Sequence, residues 1–326
     1  MHTPLPRTTR FRSHVAYASG LALRAARSVR LWSMVGALAI GAMPANGMGL
    51  PPQQQPEYQY GRVGVVGEVF KDGETSCGGT YHPAENVIFH PTLPCGTNVR
   101  LYNPANGKST QASVTNQAVM FRPGHGRVAD ISISVAEDLG LNSDSPRTQQ
   151  ILIQPVNGSL QTMVSKLPEN LPSLSRPHAD KKDIDILTRN LIAECGNCSS
   201  LGMLGVARVT LNRVDMGFMG ASNVRDVVYA PNQFSWVKHG PFPSPSHANW
   251  QTARELAEAS LTDDVSGDGL GLFYRLGRES DHYYAASIKR PAWAAGMNRI
   301  AFATPFERET LRHRYYASTH TTLASR

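Results

Sequence analysis

The hydrophobic period of this chain changes once, and that change confines it to a β region followed by a helical one. From Gly61 to Pro155 apolar and β-branched residues alternate or cluster, as in Val63 and Val65, Asn98-Val-Arg-Leu-Tyr102, Ala112-Ser-Val-Thr115, Ile131-Ser-Ile-Ser134 and Ile151-Leu-Ile-Gln-Pro155. A period of two puts successive side chains on opposite faces of a strand. Turn formers separate these runs at Lys71-Asp-Gly73, Asn103-Pro-Ala-Asn-Gly107 and Arg122-Pro-Gly124, as hairpins and short connections require. One helix interrupts them at Val135–Leu139 and stops at Gly140. That interruption favours a small barrel over a sandwich.

Beyond Lys182 the period becomes helical. Ile184, Leu187, Leu191 and Ile192 form one apolar stripe. Gly196 and Asn197 break that helix, and a second apolar helix runs from Leu201 to Val214. Ser222 is placed to cap a short helix through Tyr229. Asn249 to Leu261 is amphipathic, with Trp250, Ala253, Leu256, Ala257 and Leu261 on one face. Asp263, Asp264 and Asp268 read as a solvated loop without the spacing of a calcium loop. Gly271-Leu-Phe-Tyr274 reads as a short strand, and the stretch from Arg312 as a basic, polar, frayed tail. The expected class is α+β in two domains. The expected divisions are a leader at 1–47, a Pro/Gln-rich spacer at 48–60, a β-barrel at 61–155, a linker at 156–181, a mostly helical domain at 182–316 and a tail at 317–326.

The formal charge of +7 is a property of the leader. Residues 1–56 hold six arginines (7, 10, 12, 24, 27 and 30) and no Lys, Asp or Glu, so 32 − 6 = 26 basic residues face 25 acidic ones in the rest. This excludes the basic clusters that nucleic-acid binding needs. The arginines precede the apolar run Leu31–Met43 and the small residues Ala45 and Gly47, the order of a secretory signal that is either cleaved or kept as an anchor. Four cysteines after an export signal point to disulfides. Cys77 with Cys95 and Cys195 with Cys198 is the natural pairing of the three possible. No further ligands lie close in sequence to the CxxC, so neither a metal nor a cofactor is expected.

One acid stands out. Glu194 ends the first helix of a tight helical hairpin, where partial burial raises a carboxyl pKa and suits it to act as a general acid.

Two resemblances bear on this reading. The run Phe89-His-Pro-Thr-Leu-Pro-Cys-Gly-Thr-Asn-Val-Arg-Leu-Tyr-Asn103, followed by Asn106-Gly-Lys108 and Val128-Ala-Asp-Ile-Ser132, resembles the RlpA-like double-psi β-barrel. That resemblance implies a glycan-contacting or structural His90. The position at which this family carries an acid is Asn116, within Val114-Thr-Asn-Gln-Ala-Val119, and an amide is neither a general acid nor a base. A wall-binding, non-catalytic barrel is therefore expected, with a second lytic site as its alternative. Further on, 184–194, Gly205–Val214, Val224–Trp236 and Leu272–Tyr274 with Pro291-Ala-Trp293 follow one another in the order of the SleB-type cell wall hydrolases, which this region resembles.

The second resemblance implies a lysozyme-like fold and cleavage of the β-1,4 bond between N-acetylmuramic acid and N-acetylglucosamine in peptidoglycan. With Glu194 the only convincing acid, and Asp226 reading as a cap or surface residue, a lytic transglycosylase is favoured over a hydrolysing muramidase. Gln233 and Ser235 are placed to hydrogen-bond sugar, while Phe234 and Trp236 either stack on it or pack in the core. The partner is then the glycan strand. The location is the periplasm or envelope, with membrane contact only through an uncleaved leader, and the protein is expected to be a monomer. The alternative is a non-catalytic peptidoglycan-binding protein with degenerate sites.

Overall fold

The structure, a computed structural model, describes residues 58–122, 124–156, 171, 174–175 and 177–319. The expected leader, most of the spacer and linker, and the tail beyond 319 lie outside the described residues. Gln53–Arg326 forms one unit by its contacts.

Six strands close into a barrel: β1 (Gln59–Val65), β2 (Val87–Phe89), β3 (Asn98–Tyr102), β4 (Ser109–Asn116), β5 (Arg127–Ile131) and β6 (Gln149–Pro155). Their order around it is β1-β5-β2-β4-β3-β6. The pairs β1/β5 and β2/β4 are parallel and each carries one register shift, while the remaining pairs are antiparallel. This is the barrel that the alternating pattern anticipates. Val63, Val65, Ile88, Val99, Leu101, Val114, Ala129, Ile131, Ile151 and Ile153 point inward and are buried. Helix α1 (Ile133–Asp138) is capped by the Ser132 hydroxyl, which accepts from Val135 N, and it adds Val135 and Ala136 to that core. The Cys77–Cys95 disulfide ties the loop after β1 to the loop after β2.

The second half is helical. Helices α2 (Lys181–Cys195), α3 (Ser200–Asp215), α4 (Val224–Val228), α5 (Ser235–His239), α6 (Trp250–Leu261) and α7 (Gly267–Leu276) precede a small antiparallel sheet. Its strands are β7 (Ser280–Ala285), β8 (Asn298–Ile300) and β9 (His313–Ala317), in the order β7-β9-β8. Asp180 caps α2 and Ser199 caps α3 through side-chain oxygens on backbone N–H groups. The apolar stripes of α2, α3 and α6 meet in one core with Phe234 and Trp236. Gly205 lets α3 approach β9, because a Cβ there would come within 2.1 Å of the Tyr315 hydroxyl.

Four expectations are corrected. Gly271–Tyr274 belongs to α7, where Leu270, Leu272, Phe273 and Leu276 are all buried among barrel and helical residues; a four-residue apolar run does not by itself separate a strand from a stretch of buried helix. The stretch after Arg312 is β9, the central strand of its sheet, with Tyr315 and Tyr316 buried. Asn223, not Ser222, caps α4 through Asp226 N, and the Ser222 hydroxyl donates to the Asp226 carboxylate.

The fourth concerns the aspartates. Asp264 is fully buried, and Asp263 nearly so. Asp264 accepts from Arg62 Nη1 at 3.2 Å, from Arg147 Nη1 at 3.2 Å and from Thr148 N at 3.2 Å. These donors come from the barrel, more than a hundred residues earlier in the chain, so no local pattern announced them. Nearby, Arg127 binds Asp130 at 2.6 Å and donates to the carbonyls of Asp263 and Val265 at 3.1 Å each. The Tyr274 hydroxyl donates to the other Asp130 oxygen. An apolar layer continues this contact: Phe70 and Phe89 of the barrel half lie 5.3 and 4.9 Å from the Tyr274 ring. The two halves thus share a core, and the barrel is built into the helical half.

Candidate active site

Helix α2 carries Glu194 in its last turn. The helix stops at Gly196, whose carbonyl accepts from Asn249 Nδ2 at 2.8 Å. The Cys195–Cys198 disulfide closes the turn, with 5.1 Å between its Cα atoms. Glu194 is half-buried. Its Oε2 accepts a hydrogen bond from the Tyr283 hydroxyl at 3.2 Å. Burial raises the Glu194 carboxyl above its ordinary value, and the Tyr283 bond and the Arg213 charge pull part of the way back. Burial first, and then the Glu194 charge, push the Tyr283 phenol well above its ordinary range, so it remains a donor.

Arg213, on α3, is buried and held in place. Its Nε donates to the Asp281 carbonyl at 2.7 Å, and its guanidinium lies 5.0 Å from the Phe218 ring centre and 5.6 Å from that of Phe234. Asn212, one residue earlier, donates to the carbonyls of Gly277 and Ser280 at 3.0 and 2.8 Å. Together the two residues fasten α3 to β7, and β7 delivers Tyr283.

Trp236 links the Gln233–Trp236 loop to the same helix face as the acid. Its indole N–H donates to Asn190 Oδ1 at 3.0 Å, and Asn190 precedes Glu194 by four residues, one helical turn on the same face. Asn190 is fully buried and also donates to Thr210 Oγ1 at 3.3 Å. Phe234 and Trp236 are each 5% exposed. Both belong to the helical core, so neither presents an open ring face to a sugar. Ser235 is exposed, and Gln233 is half-buried with its amide donating to the Pro231 carbonyl at 3.3 Å and to Met219 Sδ at 3.4 Å.

His90 is sealed from solvent, at 0% exposure. Its Nδ1 accepts from Leu93 N at 3.1 Å and Thr92 N at 3.3 Å, which leaves Nε2–H to donate to Gln59 Oε1 at 3.0 Å. Both ring nitrogens are committed to folding the loop after β2, and burial lowers the imidazole pKa to about 4. Asn116 is buried too; its Oδ1 accepts from Ser76 Oγ at 2.7 Å, Ala118 N at 3.0 Å and Ser76 N at 3.2 Å.

Among the described residues, the side-chain hydrogen bonding of Glu194 involves Tyr283 and no second carboxylate. Asp281 is engaged by Ser318 N at 3.0 Å and His282 Nδ1 at 2.9 Å. Asp226 is engaged by Ser222 N at 3.0 Å and Asn223 Nδ2 at 2.9 Å. The chemistry available at this site is that of one proton-holding carboxyl beside a neutral phenol and a fixed cation. Asn212 and Arg213 read from sequence as a tie between the second helix and the site loop, whereas nothing in the local sequence singles out Tyr283. The run Ser280–Ala285 has no unusual composition, and only the pairing of β7 with β9 turns Tyr283 toward α2.

Fold and site together define a two-part protein, a closed six-stranded barrel joined to a helical module built around one acid. Residues 198–304 match the protein family described as Cell Wall Hydrolase. That match starts just past Glu194, so the role of the acid rests on its geometry. Over 217 residues the chain is 28% identical to the endolytic peptidoglycan transglycosylase RlpA of Neisseria meningitidis serogroup B, covering 65% of this chain and 78% of that protein. Over 93 residues it is 31% identical to the cell wall hydrolase CwlJ of Bacillus subtilis, covering 28% of this chain and 61% of that protein. The catalytic domain of Bacillus cereus SleB aligns over 46% of this chain and 98% of its own length, at 18% identity and a TM-score of 0.31, a likeness too slight to argue from. The C-terminal half thus contains a match to a cell wall hydrolase family, and the chain is similar over 65% of its length to RlpA transglycosylases.

Proposed function

We propose that this protein cleaves the glycan strands of peptidoglycan, using Glu194 as its one proton-transferring group at the β-1,4 bond between N-acetylmuramic acid and N-acetylglucosamine. The observation that carries the proposal is the raised Glu194 carboxyl, half-buried and hydrogen-bonded to Tyr283. A carboxyl whose proton is held more tightly than usual can protonate the glycosidic oxygen as positive charge builds on the sugar ring. The kinship with peptidoglycan transglycosylases and cell wall hydrolases supplies the substrate class.

With no second carboxylate among its hydrogen-bond partners in the described residues, Glu194 acts first as acid and then as base. The substrate's own 6-hydroxyl replaces water, and the product ends in 1,6-anhydromuramic acid. Tyr283 and Arg213 hold the carboxylate after it has given up its proton and so stabilise the intermediate stage. Gln233 and Ser235 face the glycan from the loop that Trp236 anchors. The barrel takes no catalytic part, because Asn116 cannot exchange protons and His90 is sealed in the fold; it supports the helical module. The protein works in the cell envelope, reached through the N-terminal segment, and its two disulfides suit an oxidising compartment.

Purified peptidoglycan digested with the full chain and separated by mass spectrometry tests this reading. Anhydro-ended muropeptides that disappear in Glu194→Gln are expected. Reducing-end products would retain Glu194 as the acid but replace the internal hydroxyl with water. Products unchanged in Glu194→Gln would remove it from the mechanism.

A further inference from the structure

The CxxC behind Glu194 has a third partner that local sequence does not reveal. His313, the first residue of β9, is buried, and its Nδ1 lies 3.7 Å from Cys195 Sγ. One ligand atom from each of Cys195, Cys198 and His313 can be taken so that all lie within 4.8 Å of one another. Tetrahedral zinc, with bonds of about 2.3 Å to sulfur and 2.0–2.1 Å to nitrogen, sets its ligand atoms about 3.6–3.8 Å apart. The Cys195–His313 separation already meets that spacing. The two sulfurs reach it once they are no longer bonded, and a spacing of two residues is one of the usual zinc half-sites. Gly202, in the first turn of α3, keeps the space beside the sulfurs clear: a Cβ there would lie 2.7 Å from Cys198 Cβ and 3.1 Å from Cys195 Sγ.

We propose that Cys195, Cys198 and His313 form a binding site for a thiophilic divalent cation such as Zn²⁺, opened when a dithiol reductant cleaves the Cys195–Cys198 disulfide. Cys195 is buried and Cys198 half-buried, so the external thiolate attacks Cys198. The S–S bond breaks, a mixed disulfide forms on Cys198, and Cys195 leaves as a thiolate. The reductant's second thiolate then displaces Cys198, also as a thiolate, and the reductant departs as a disulfide. Two electrons have passed to the protein. The cation binds both thiolates and His313 Nδ1, with water in the fourth position. His313 changes tautomer for this: the Nδ1–H that now donates to the Leu311 carbonyl at 3.2 Å is lost, and Nε2 carries the proton instead.

The site sits immediately behind the acid. Cys195 follows Glu194 in the chain, and the His313 ring packs edge-on against Tyr283, with 4.9 Å between centres. Opening the disulfide and filling the site therefore changes the support of both Glu194 and Tyr283.

The test measures metal and not turnover, so it stands apart from the cleavage reading. The full chain is reduced with a phosphine, desalted without oxygen, equilibrated with equimolar Zn²⁺ or Co²⁺, and desalted again, with circular dichroism to follow the fold. One equivalent of metal in the reduced protein, none in the oxidised protein, and a thiolate-to-cobalt charge-transfer band are expected. Cys198→Ser and His313→Ala should each weaken binding by more than about tenfold. Because His313→Ala opens a buried site and can unfold the protein, Cys198→Ser, which changes a half-buried position, decides the matter alone if needed. No metal in reduced wild type, full affinity in Cys198→Ser, or a disulfide that reduces only on unfolding would each overturn the proposal.

Discussion

Replacing Tyr283 with Phe removes the hydrogen bond that, among the described residues, the acid's side chain receives. The phenol stabilises only the ionised form of Glu194, because a neutral, deprotonation-resistant hydroxyl donates to a carboxylate oxygen. Hydrogen bonds to charged groups are worth about 1.5–3 kcal/mol. At 3.2 Å this bond is longer than most O–H···O contacts, so the lower end applies. Losing about 1.5 kcal/mol multiplies the ratio of protonated to ionised Glu194 about tenfold at any pH in its titration range. The group that loses activity with rising pH is the acid itself, so the alkaline limb of kcat/KM moves upward. Phe fills nearly the same volume and keeps the contacts with His313 and Tyr315, so the fold is retained. The assay is the pH profile of glycan release from labelled peptidoglycan, run from acid to mildly alkaline pH with thermal melts at each point. An alkaline limb that stays in place or moves down in Tyr283→Phe would show that Glu194 does not carry the proton or that Tyr283 does not hold it.

Three further changes follow from buried charge. Because Glu194 has a folded-state pKa above its unfolded one, its ionisation costs stability once the pH rises past the unfolded value. Glu194→Gln should therefore melt higher than wild type at pH 7, by a few degrees for about 1 kcal/mol, with the gap closing in acid; equal melting at both pH values would contradict the burial argument. His90 has the opposite sign: its pKa falls from 6.5 to about 4 on folding, so the unfolded chain takes the proton first and about 3 kcal/mol is lost as pH drops from 6.5 to 4. His90→Asn keeps an acceptor near the Nδ1 position and should flatten the acid side of the denaturation curve. Removing the carboxylate in Asp264→Ala leaves Arg62 and Arg147 without the group they share, at a cost of about 3–5 kcal/mol in urea denaturation; a loss below about 1 kcal/mol would mean that those arginines find solvent.

The strands, the hairpin of α2 and α3 and both disulfides were legible because each is a local pattern. Alternation around Val63, Val99 and Ile151 requires only that one face be dry. The stripe of Ile184, Leu187 and Leu191 requires only helical spacing. Apart from the cap of α4, where neighbouring Asn223 takes the role read for Ser222, the misreadings share one cause, a partner far away in the chain. Asp264 looked like a loop acid until Arg62 and Arg147 arrived from the barrel. Leu272 and Tyr274 looked like a strand because so short an apolar run fits either element, and what makes it helix is packing against barrel aromatics on one side and α3 on the other. Phe234 and Trp236 carried both a sugar-stacking and a core reading; what decides it is Asn190, buried in α2 and waiting for the indole N–H. The acid itself was readable from its place at a helix end, whereas Tyr283, Arg213 and His313 reach it through sheet pairing and helix packing.

The shared core also bears on how the barrel works. A tethered wall-binding module would need a contact surface of its own and a free linker. This barrel has its arginines Arg62 and Arg127 committed to Asp264, Asp130 and the α6–α7 loop, and its aromatics Phe70 and Phe89 committed to Tyr274. Through α7 those contacts reach α3, whose Arg208 and Asn212 both donate to the Gly277 carbonyl and whose Arg213 steadies β7. Tyr283 stands at the end of that chain of fixed elements. A change that loosens the barrel, such as Asp264→Ala, is therefore transmitted to the position of Tyr283 opposite Glu194. It should lower kcat more than it raises KM, since it disturbs the proton-holding geometry more than the glycan contacts on the Gln233 loop. Separate unfolding of the two halves in wild type, or a loss confined to KM in that variant, would instead describe two modules joined only by sequence.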